Sequence, residues 1–228
     1  MDQSAIVLED VTVRFGATTA LENASARLVE RRIGVIGDNG SGKSTFARLL
    51  NGLVLPTQGR VTVLGLDTQS AGNAIRRRVG FIFQNPDNQL VMPTVAEDLD
   101  FGLKAHDVAA AARAAQIDTV LARLGITHLK ERACAELAGG EKQLVALAGV
   151  LVLEPSVLVC DEPTAMLDRR NARMFSEILT TLPQQVVVVT HHTELLEGFD
   201  RVLVMERGRL VADAAPAQAI AAYVDLSP

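Results

Sequence analysis

The chain lacks the features that would commit it to a membrane or to a secretory route. Its longest apolar run, Leu144 to Leu153, is ten residues, half of the roughly 20 needed to span a bilayer as a helix. The opening stretch, MDQSAIVLED, carries acids in place of a basic flank and an apolar core, so no signal peptide is expected. Cysteine is nearly missing. With only Cys134 and Cys160, and Cys160 inside an apolar strand-like run, disulfide scaffolding is not expected and a reducing cytoplasm is the natural compartment. There is no basic excess either: a net charge of -5 argues against a general nucleic-acid binder, and Arg76-Arg77-Arg78 reads as a solvated face. Internal repeats and low-complexity linkers are absent. What remains is a chain of 228 residues, 48% hydrophobic and 21% charged, with the make-up of an ordinary globular protein and ample length for a real core.

Hydrophobic spacing divides that chain into regions. Residues 5 to 35 read as strands, AIVLEDVTVRF alternating as an edge region does and SARLVE preceding a short apolar run that ends in Ile36. A helix fits 43 to 53, with Phe46, Leu49, Leu50 and Leu53 on one face. VTVLGLD and VGFIF are further strand candidates, and Pro86 and Pro93 mark a loop. From about 95 to 153 no strand signal intervenes. Alanine-rich residues 108 to 115 have high helix propensity, and Ile117, Val120, Leu121 and Leu124 form a helical stripe. This stretch reads as a helical subdomain inserted between strands. VLVC and VVVV then have the unbroken apolarity of central parallel strands covered on both faces. RVLVMERGRLVAD reads as a hairpin turning at Arg207-Gly208, and the tail from Ala214 as a terminal helix.

GDNGSGKST, comprising Gly37, Asp38, Asn39, Gly40, Ser41, Gly42, Lys43, Ser44 and Thr45, matches G-x-x-x-x-G-K-[ST] between an apolar strand and a helix. In that setting successive backbone N–H groups curl round phosphate oxygens, Lys43 adds charge toward the β and γ phosphates, and the Ser44 hydroxyl suits Mg²⁺. A second carboxyl-edge motif is VLVCDEP. Its apolar strand ends in Asp161, where open α/β folds bind ligands, and this carboxylate suits Mg²⁺, directly or through water. The adjacent Glu162 repels Asp161 and wants a cation; its best role is to orient and polarise an attacking water. VVVVTHH repeats the geometry, placing His191 within reach of a γ-phosphate or of that water. A metal site built from His191 and His192 is disfavoured, because neighbours in an extended chain point to opposite faces. His106 and His128 have no such company and read as surface residues.

ELAGGEKQLVALAG sets Gly139-Gly140 ahead of a helix with Leu144, Leu147, Ala148 and Leu151 at helical spacing. Taken alone, the turn is either punctuation or an anion site, since glycine tolerates unusual backbone angles and N–H groups converge at a helix start.

The ordered set GDNGSGKS, FQNPDNQ, LAGGEKQ, VLVCDEP, AMLD and VTHH resembles the ATPase domain of ABC transporters over nearly the whole chain. FQNPDNQ and GGEKQ make it most similar to the ATPase subunit of energy-coupling-factor importers, which take up vitamins and transition-metal ions. The resemblance implies an α/β fold: a P-loop NTPase (RecA-like) core, an N-terminal antiparallel β subdomain and an inserted α-helical subdomain, with residues 1–228 as one domain. It implies ATP and Mg²⁺ as ligands, with Ser44, Gln84 and Asp161 at the metal. It makes Gln84 the Q-loop glutamine, which touches Mg²⁺ or the water and relays nucleotide state to a membrane subunit. Phe15 falls where the family stacks an aromatic on adenine, a place a plain core phenylalanine also fits. Asp168 corresponds to the D-loop acid at the subunit interface and His191 to the switch histidine. Ala138, Gly139 and Gly140 correspond to the signature motif, which meets the γ-phosphate of ATP bound to the other subunit.

Two departures from the family pattern stand out. Ala138-Gly139-Gly140-Glu141 replaces the common Ser-Gly-Gly-Gln, removing a hydroxyl donor worth roughly 1.5 to 3 kcal/mol where it bonds a charged group. Leu144 replaces a frequent arginine. The expectation is a peripheral ATPase on the cytoplasmic face of the membrane, paired with a second ATPase subunit as homodimer or heterodimer. It would drive integral membrane subunits, a transmembrane coupling protein and a substrate-binding protein, with biotin or cobalt the favoured cargo and no nucleic acid involved. The competing class, a soluble ABC ATPase that remodels nucleic acid or a protein complex, often carries two ATPase units or a long coiled-coil insert, and this sequence has neither.

Overall fold

Two kinds of hydrophobic pattern in the sequence become two sheets in the computed structural model, which describes residues 5–226. In chain order, strands β1 (Ile6–Phe15), β2 (Thr18–Leu28) and β3 (Arg32–Gly37) precede helix α1 (Lys43–Leu49). Strands β4 (Gln58–Val63) and β5 (Leu66–Asp67), helix α2 (Gly72–Arg76) and strand β6 (Val79–Ile82) follow. Helices α3 (Val95–Ala105), α4 (Ala110–Arg123) and α5 (Gly139–Leu151) lead to β7 (Val157–Asp161), α6 (Arg169–Thr181) and β8 (Gln185–Thr190). The chain closes with β9 (Arg201–Glu206), β10 (Arg209–Ala214) and α7 (Pro216–Leu226).

The alternating segments pair antiparallel in a four-stranded sheet, order β2-β1-β4-β5. In much of this sheet one face packs on the core while the other meets water, which gives the alternation; at the register shifts of β1 the run Val11, Thr12 and Val13 is buried throughout. The unbroken runs lie in a six-stranded sheet, order β10-β9-β3-β8-β7-β6, parallel throughout except for the β9–β10 hairpin, whose outer strand β10 is partly exposed along its length. Every residue of β3 and of β7 is buried, as a strand covered on both faces requires. Because β3, β7 and β8 run parallel, their carboxyl ends lie side by side, and the loops after Gly37, Asp161 and Thr190 meet at one edge of the sheet.

The helical stretch is present as expected. Thr94 caps α3 with a full capping box to Glu97, and the stripe Ile117, Val120, Leu121 and Leu124 is buried. Leu99, Leu121 and Leu147 share one apolar cluster with Ile36, Leu158 and Val188 of the parallel sheet, so the helices are braced on the core rather than built round a core of their own.

Several boundaries differ from the sequence reading. The first helix stops at Leu49, not at 53, because Asn51-Gly52 breaks it: Gly52 adopts φ +68 and its N–H turns back to the Leu49 carbonyl. Leu53 therefore leaves the apolar face and is 47% exposed. VTVLGLD is two strands, split at Leu64-Gly65, where both residues have positive φ as a tight hairpin turn demands. Ala214 ends β10, and α7 starts at Pro216, where proline's fixed φ and missing N–H suit a first helical turn. His106 is half-buried with its ring 3.1 Å from the Gly102 carbonyl, whereas His128 is exposed.

Candidate functional site

The loop after β3 is packed too closely for side chains at two of its glycines. A Cβ on Gly37 would stand 2.2 Å from the Met205 carbonyl oxygen, and one on Gly42 would stand 2.4 Å from that of Ala20. With Gly42 as its N-cap, α1 has no side-chain cap, so the N–H groups of the loop and first turn are left for an anion. Ser41 adds a buried hydroxyl with no hydrogen-bond partner among the described residues. Lys43 lies across the loop. Its Nζ donates to the carbonyls of Gly37 at 2.7 Å and Asp38 at 2.9 Å and stands 3.8 Å from Glu162 Oε1. Burial lowers its pKa, and the nearby Glu162, Asp38 and Asp161 carboxylates pull it back up.

At the end of β7 the two acids are held differently. Asp161 Oδ1 accepts from the Ser44 hydroxyl at 2.8 Å, and Arg48 reaches within 3.7 Å of Oδ2. Burial raises the Asp161 carboxyl above its ordinary value, with Ser44 and Arg48 opposing the rise. A desolvated carboxylate and a hydroxyl joined at the mouth of an anion loop are hard oxygen donors, the set Mg²⁺ takes together with substrate phosphates. No group of three or more His, Cys, Asp or Glu gathers for a metal among the described residues; a Mg²⁺ site completed by phosphate oxygens does not need one.

Glu162 has φ +49, a left-handed conformation that costs a non-glycine residue free energy. Its N–H donates to the Val189 carbonyl at 2.8 Å. Its carboxylate is set between Lys43 and His191: Oε2 lies 2.9 Å from His191 Nδ1 and accepts the His191 backbone N–H at 3.3 Å. Lys43, Ser44, Gln84, Glu162 and His191 line one cavity of about 370 Å³ with Asn39, Gly40, Gly42 and Thr45. Residues from four stretches of chain, spread over more than a hundred positions, are thus brought to one cavity.

His192 does not point away from His191. The strand ends at Thr190, whose hydroxyl accepts the His192 N–H at 3.0 Å, and the turn brings the two imidazoles to 4.0 Å between centroids. The strand geometry assumed for an extended pair does not apply once the strand has ended.

Thr18, Thr19 and Ala20 also line the cavity; they carry no motif, and only the β1–β2 hairpin brings them there. Phe15 pairs across that hairpin with Thr18, which lines the cavity, and is 54% exposed, so it is not a core residue. Arg48, the second cation at Asp161, likewise follows from the helix after the loop and has no motif of its own.

The signature-like turn lies elsewhere. Ala138 is the N-cap of α5 and Gly139 and Gly140 begin it. Glu141 closes half of a capping box, its Oε2 accepting the Ala138 N–H at 2.8 Å; the methyl of Ala138 has no oxygen to return the bond. A Cβ on Gly140 would come within 2.8 Å of the Asn171 side chain. Asp168 caps α6, accepting the Asn171 N–H at 2.8 Å. Gly139, Gly140 and Asp168 therefore lie near one another, and none of them lines the cavity of this chain.

A family model described as ABC transporter matches residues 21–165. The chain is 47% identical over 222 residues to the biotin transport ATP-binding protein BioM of Rhizobium etli, covering 97% of this chain and 99% of that protein. It is 39% identical over 223 residues to the energy-coupling factor transporter ATP-binding protein EcfA1 of Halalkalibacterium halodurans, covering 94% of this chain and 80% of the other. It matches the structure of cbiO1 from Clostridium perfringens, part of the ABC transporter complex cbiONQ, with a TM-score of 0.85 and 31% identity; 96% of this chain and 92% of that one are covered.

Proposed function

The chain belongs to the ABC transporter ATPase family, and from that membership we propose that it is the ATP-hydrolysing subunit of an energy-coupling-type importer of a vitamin or transition-metal ion. The observation that carries the reading is Glu162, a strained carboxylate aimed into the phosphate-loop cavity and held between Lys43 and His191. Biotin or cobalt is the favoured cargo, and the identity to a relative named for biotin transport supports the first.

The triphosphate of ATP seats on the backbone N–H groups of the glycine loop, and Lys43 exchanges the Gly37 and Asp38 carbonyls for β- and γ-phosphate oxygens. Ser44, Asp161 and Gln84 hold Mg²⁺, which when bound neutralises phosphate charge. Glu162 accepts a proton as water attacks the γ-phosphorus and the bond to the bridging oxygen breaks, giving ADP and phosphate. His191 fixes the Glu162 carboxylate and reaches the γ-phosphate. Phe15, exposed beside Thr18, stacks on the adenine.

Ala138, Gly139, Gly140 and Asp168 lie off the cavity of their own chain, which supports the family arrangement in which they act on the nucleotide of a second ATPase subunit, as homodimer or heterodimer. Two ATP molecules are then sandwiched between one subunit's phosphate loop and the other's signature turn. The Gln84 loop is tied to the signature helix: Lys142 pairs with Asp87 at 2.7 Å and Gln89 Nε2 donates to the Ala146 carbonyl at 2.9 Å. Beside it lies a groove of about 240 Å³ lined by Leu53, Phe81, Phe83, His106 and Leu153, which seats the transmembrane coupling protein. No helix among the described residues is long and apolar enough to cross a membrane; the likeness to transporter ATP-binding proteins supports a peripheral place on the cytoplasmic face. Co-expression with the candidate membrane subunits tests this: retention on a tagged transmembrane partner, lost when Leu53 and Phe83 are changed to Asp, is the expected result. Purification free of any membrane protein refutes the transport role.

A further inference from the structure

The last helix of the chain is tied to the phosphate loop by a bond that nucleotide chemistry does not require. Tyr223, the single tyrosine of the sequence, donates from its hydroxyl to Asp38 Oδ1 at 2.8 Å. Helix α7 is anchored by Ala219, which is buried, and by Ile220 and the Tyr223 ring, which pack on the cluster that includes Val202 and Val204 of β9. The helix is therefore fixed to the sheet before it reaches the loop.

Asp38 faces two ways. Its carbonyl accepts from Lys43 Nζ at 2.9 Å and from the Ser41 N–H at 3.1 Å, inside the loop. The residue also lines, with Tyr223 and Leu226, a separate cavity of about 260 Å³ between the loop and α7, and it is not among the residues that line the nucleotide cavity. A carboxylate this close to a triphosphate site is unfavourable if it turns inward, since it repels the phosphates and competes for Lys43. Asp38 already acts on Lys43 through its charge, favouring the ammonium form. The tyrosine hydroxyl draws the carboxylate the other way.

We propose that Tyr223 is a positioning residue that holds the Asp38 carboxylate on the α7 side of the phosphate loop, so that docking of the last helix sets the affinity for a nucleoside triphosphate. This rests on the reading of GDNGSGKST as the nucleotide site. Without the hydroxyl, the carboxylate is free to turn toward Lys43, which already feels its charge and whose charge the phosphates need. Binding weakens while the groups that perform the chemistry keep their places.

The experiment is a double-mutant cycle on the full chain, reading ATP turnover and thermal unfolding. Tyr223→Phe keeps the packed ring and is expected to raise the KM for ATP about three- to tenfold, the scale of one hydrogen bond to a charged group partly exposed to water, with kcat within about twofold of wild type. In the Asp38→Asn background the same change is expected to leave KM unaltered, because no charge is left to misplace. An unchanged KM in Tyr223→Phe, or an equal loss in both backgrounds, overturns the proposal. So does a loss of affinity that merely follows a fall of the unfolding midpoint by more than about 2 °C, which assigns the hydroxyl to fold stability. Lys43→Ala tests the premise separately: abolished ATP binding upholds the nucleotide site whatever Tyr223 does, and normal binding removes the site and the inference with it.

Discussion

Replacing Glu162 by Gln removes one charge at constant shape, and the structure shows which groups that charge touches. The carboxylate is 3.8 Å from Lys43 Nζ, and both side chains are buried. At an effective dielectric constant of about 20, a pair at that distance attracts with about 4 kcal/mol, an upper limit because both groups are also desolvated. If ATP seats as proposed, Lys43 turns to the phosphates and the same carboxylate faces their negative charge. Removing it therefore relieves a repulsion on the scale of that attraction, and Glu162→Gln is expected to bind ATP at least as tightly as wild type. The proton acceptor is lost at the same time. General-base catalysis contributes about 10² to 10⁴ in rate, or roughly 3 to 5 kcal/mol of barrier. Phosphate release under saturating ATP should fall by at least a hundredfold, and light scattering should show an ATP-dependent dimer that persists because hydrolysis no longer opens it. Turnover within tenfold of wild type removes Glu162 from the role of base. A variant that stays monomeric with bound ATP refutes the sandwich arrangement.

Two further outcomes follow from the same geometry. Ala138→Ser restores the missing half of the capping box, since the serine oxygen accepts the Glu141 N–H that alanine leaves without a side-chain partner; thermal unfolding should report about 1 kcal/mol of added stability. If the hydroxyl also donates to the partner's γ-phosphate, hydrolysis quickens by about tenfold or more, and an unchanged rate means that the glycine backbone suffices. For Asp161 the sign runs against the usual carboxylate. Its folded pKa is raised by burial above the ordinary 3.8, so ionisation costs the fold: the penalty is absent below the unfolded pKa, grows up to the raised folded value and is constant above it. Asp161→Asn should therefore unfold at a higher temperature than wild type at pH 7 while losing Mg²⁺-dependent ATP binding. A lower midpoint at neutral pH means that Ser44 and Arg48 more than offset the burial.

Ala138 bears on assembly as well as on rate. In a homodimer both nucleotide sites lack the signature hydroxyl, whereas a partner subunit carrying serine supplies it to the site on this chain. The rate of the purified chain, compared with that of Ala138→Ser, separates a site that works without the hydroxyl from one that waits for a different partner.

Much of the site was legible in the sequence because its parts are local. A phosphate loop is made of consecutive residues whose backbone does the binding, so GDNGSGKST between a strand and a helix announces itself. The acids of VLVCDEP and the histidine of VTHH follow apolar runs that can only be central strands, and parallel strands deliver the residues after them to one sheet edge. The continuous apolar runs likewise marked the buried parallel strands, and the helical stripe located α4.

Other features depend on register and on residues far apart in the chain, and no window of sequence contains them. Ser44 bonds Asp161 across 117 positions and Tyr223 bonds Asp38 across 185; each bond exists because strands and helices pack at particular offsets. The exposure of Phe15, the departure of Leu53 from its helix and the meeting of the two histidine rings were settled by where each element ends, which backbone turns decide and periodicity does not. The strained φ of Glu162 is decided in the same way. Its peptide is bound to Val189 of the neighbouring strand and its carboxylate to His191, so packing holds a backbone conformation that the residue alone would leave.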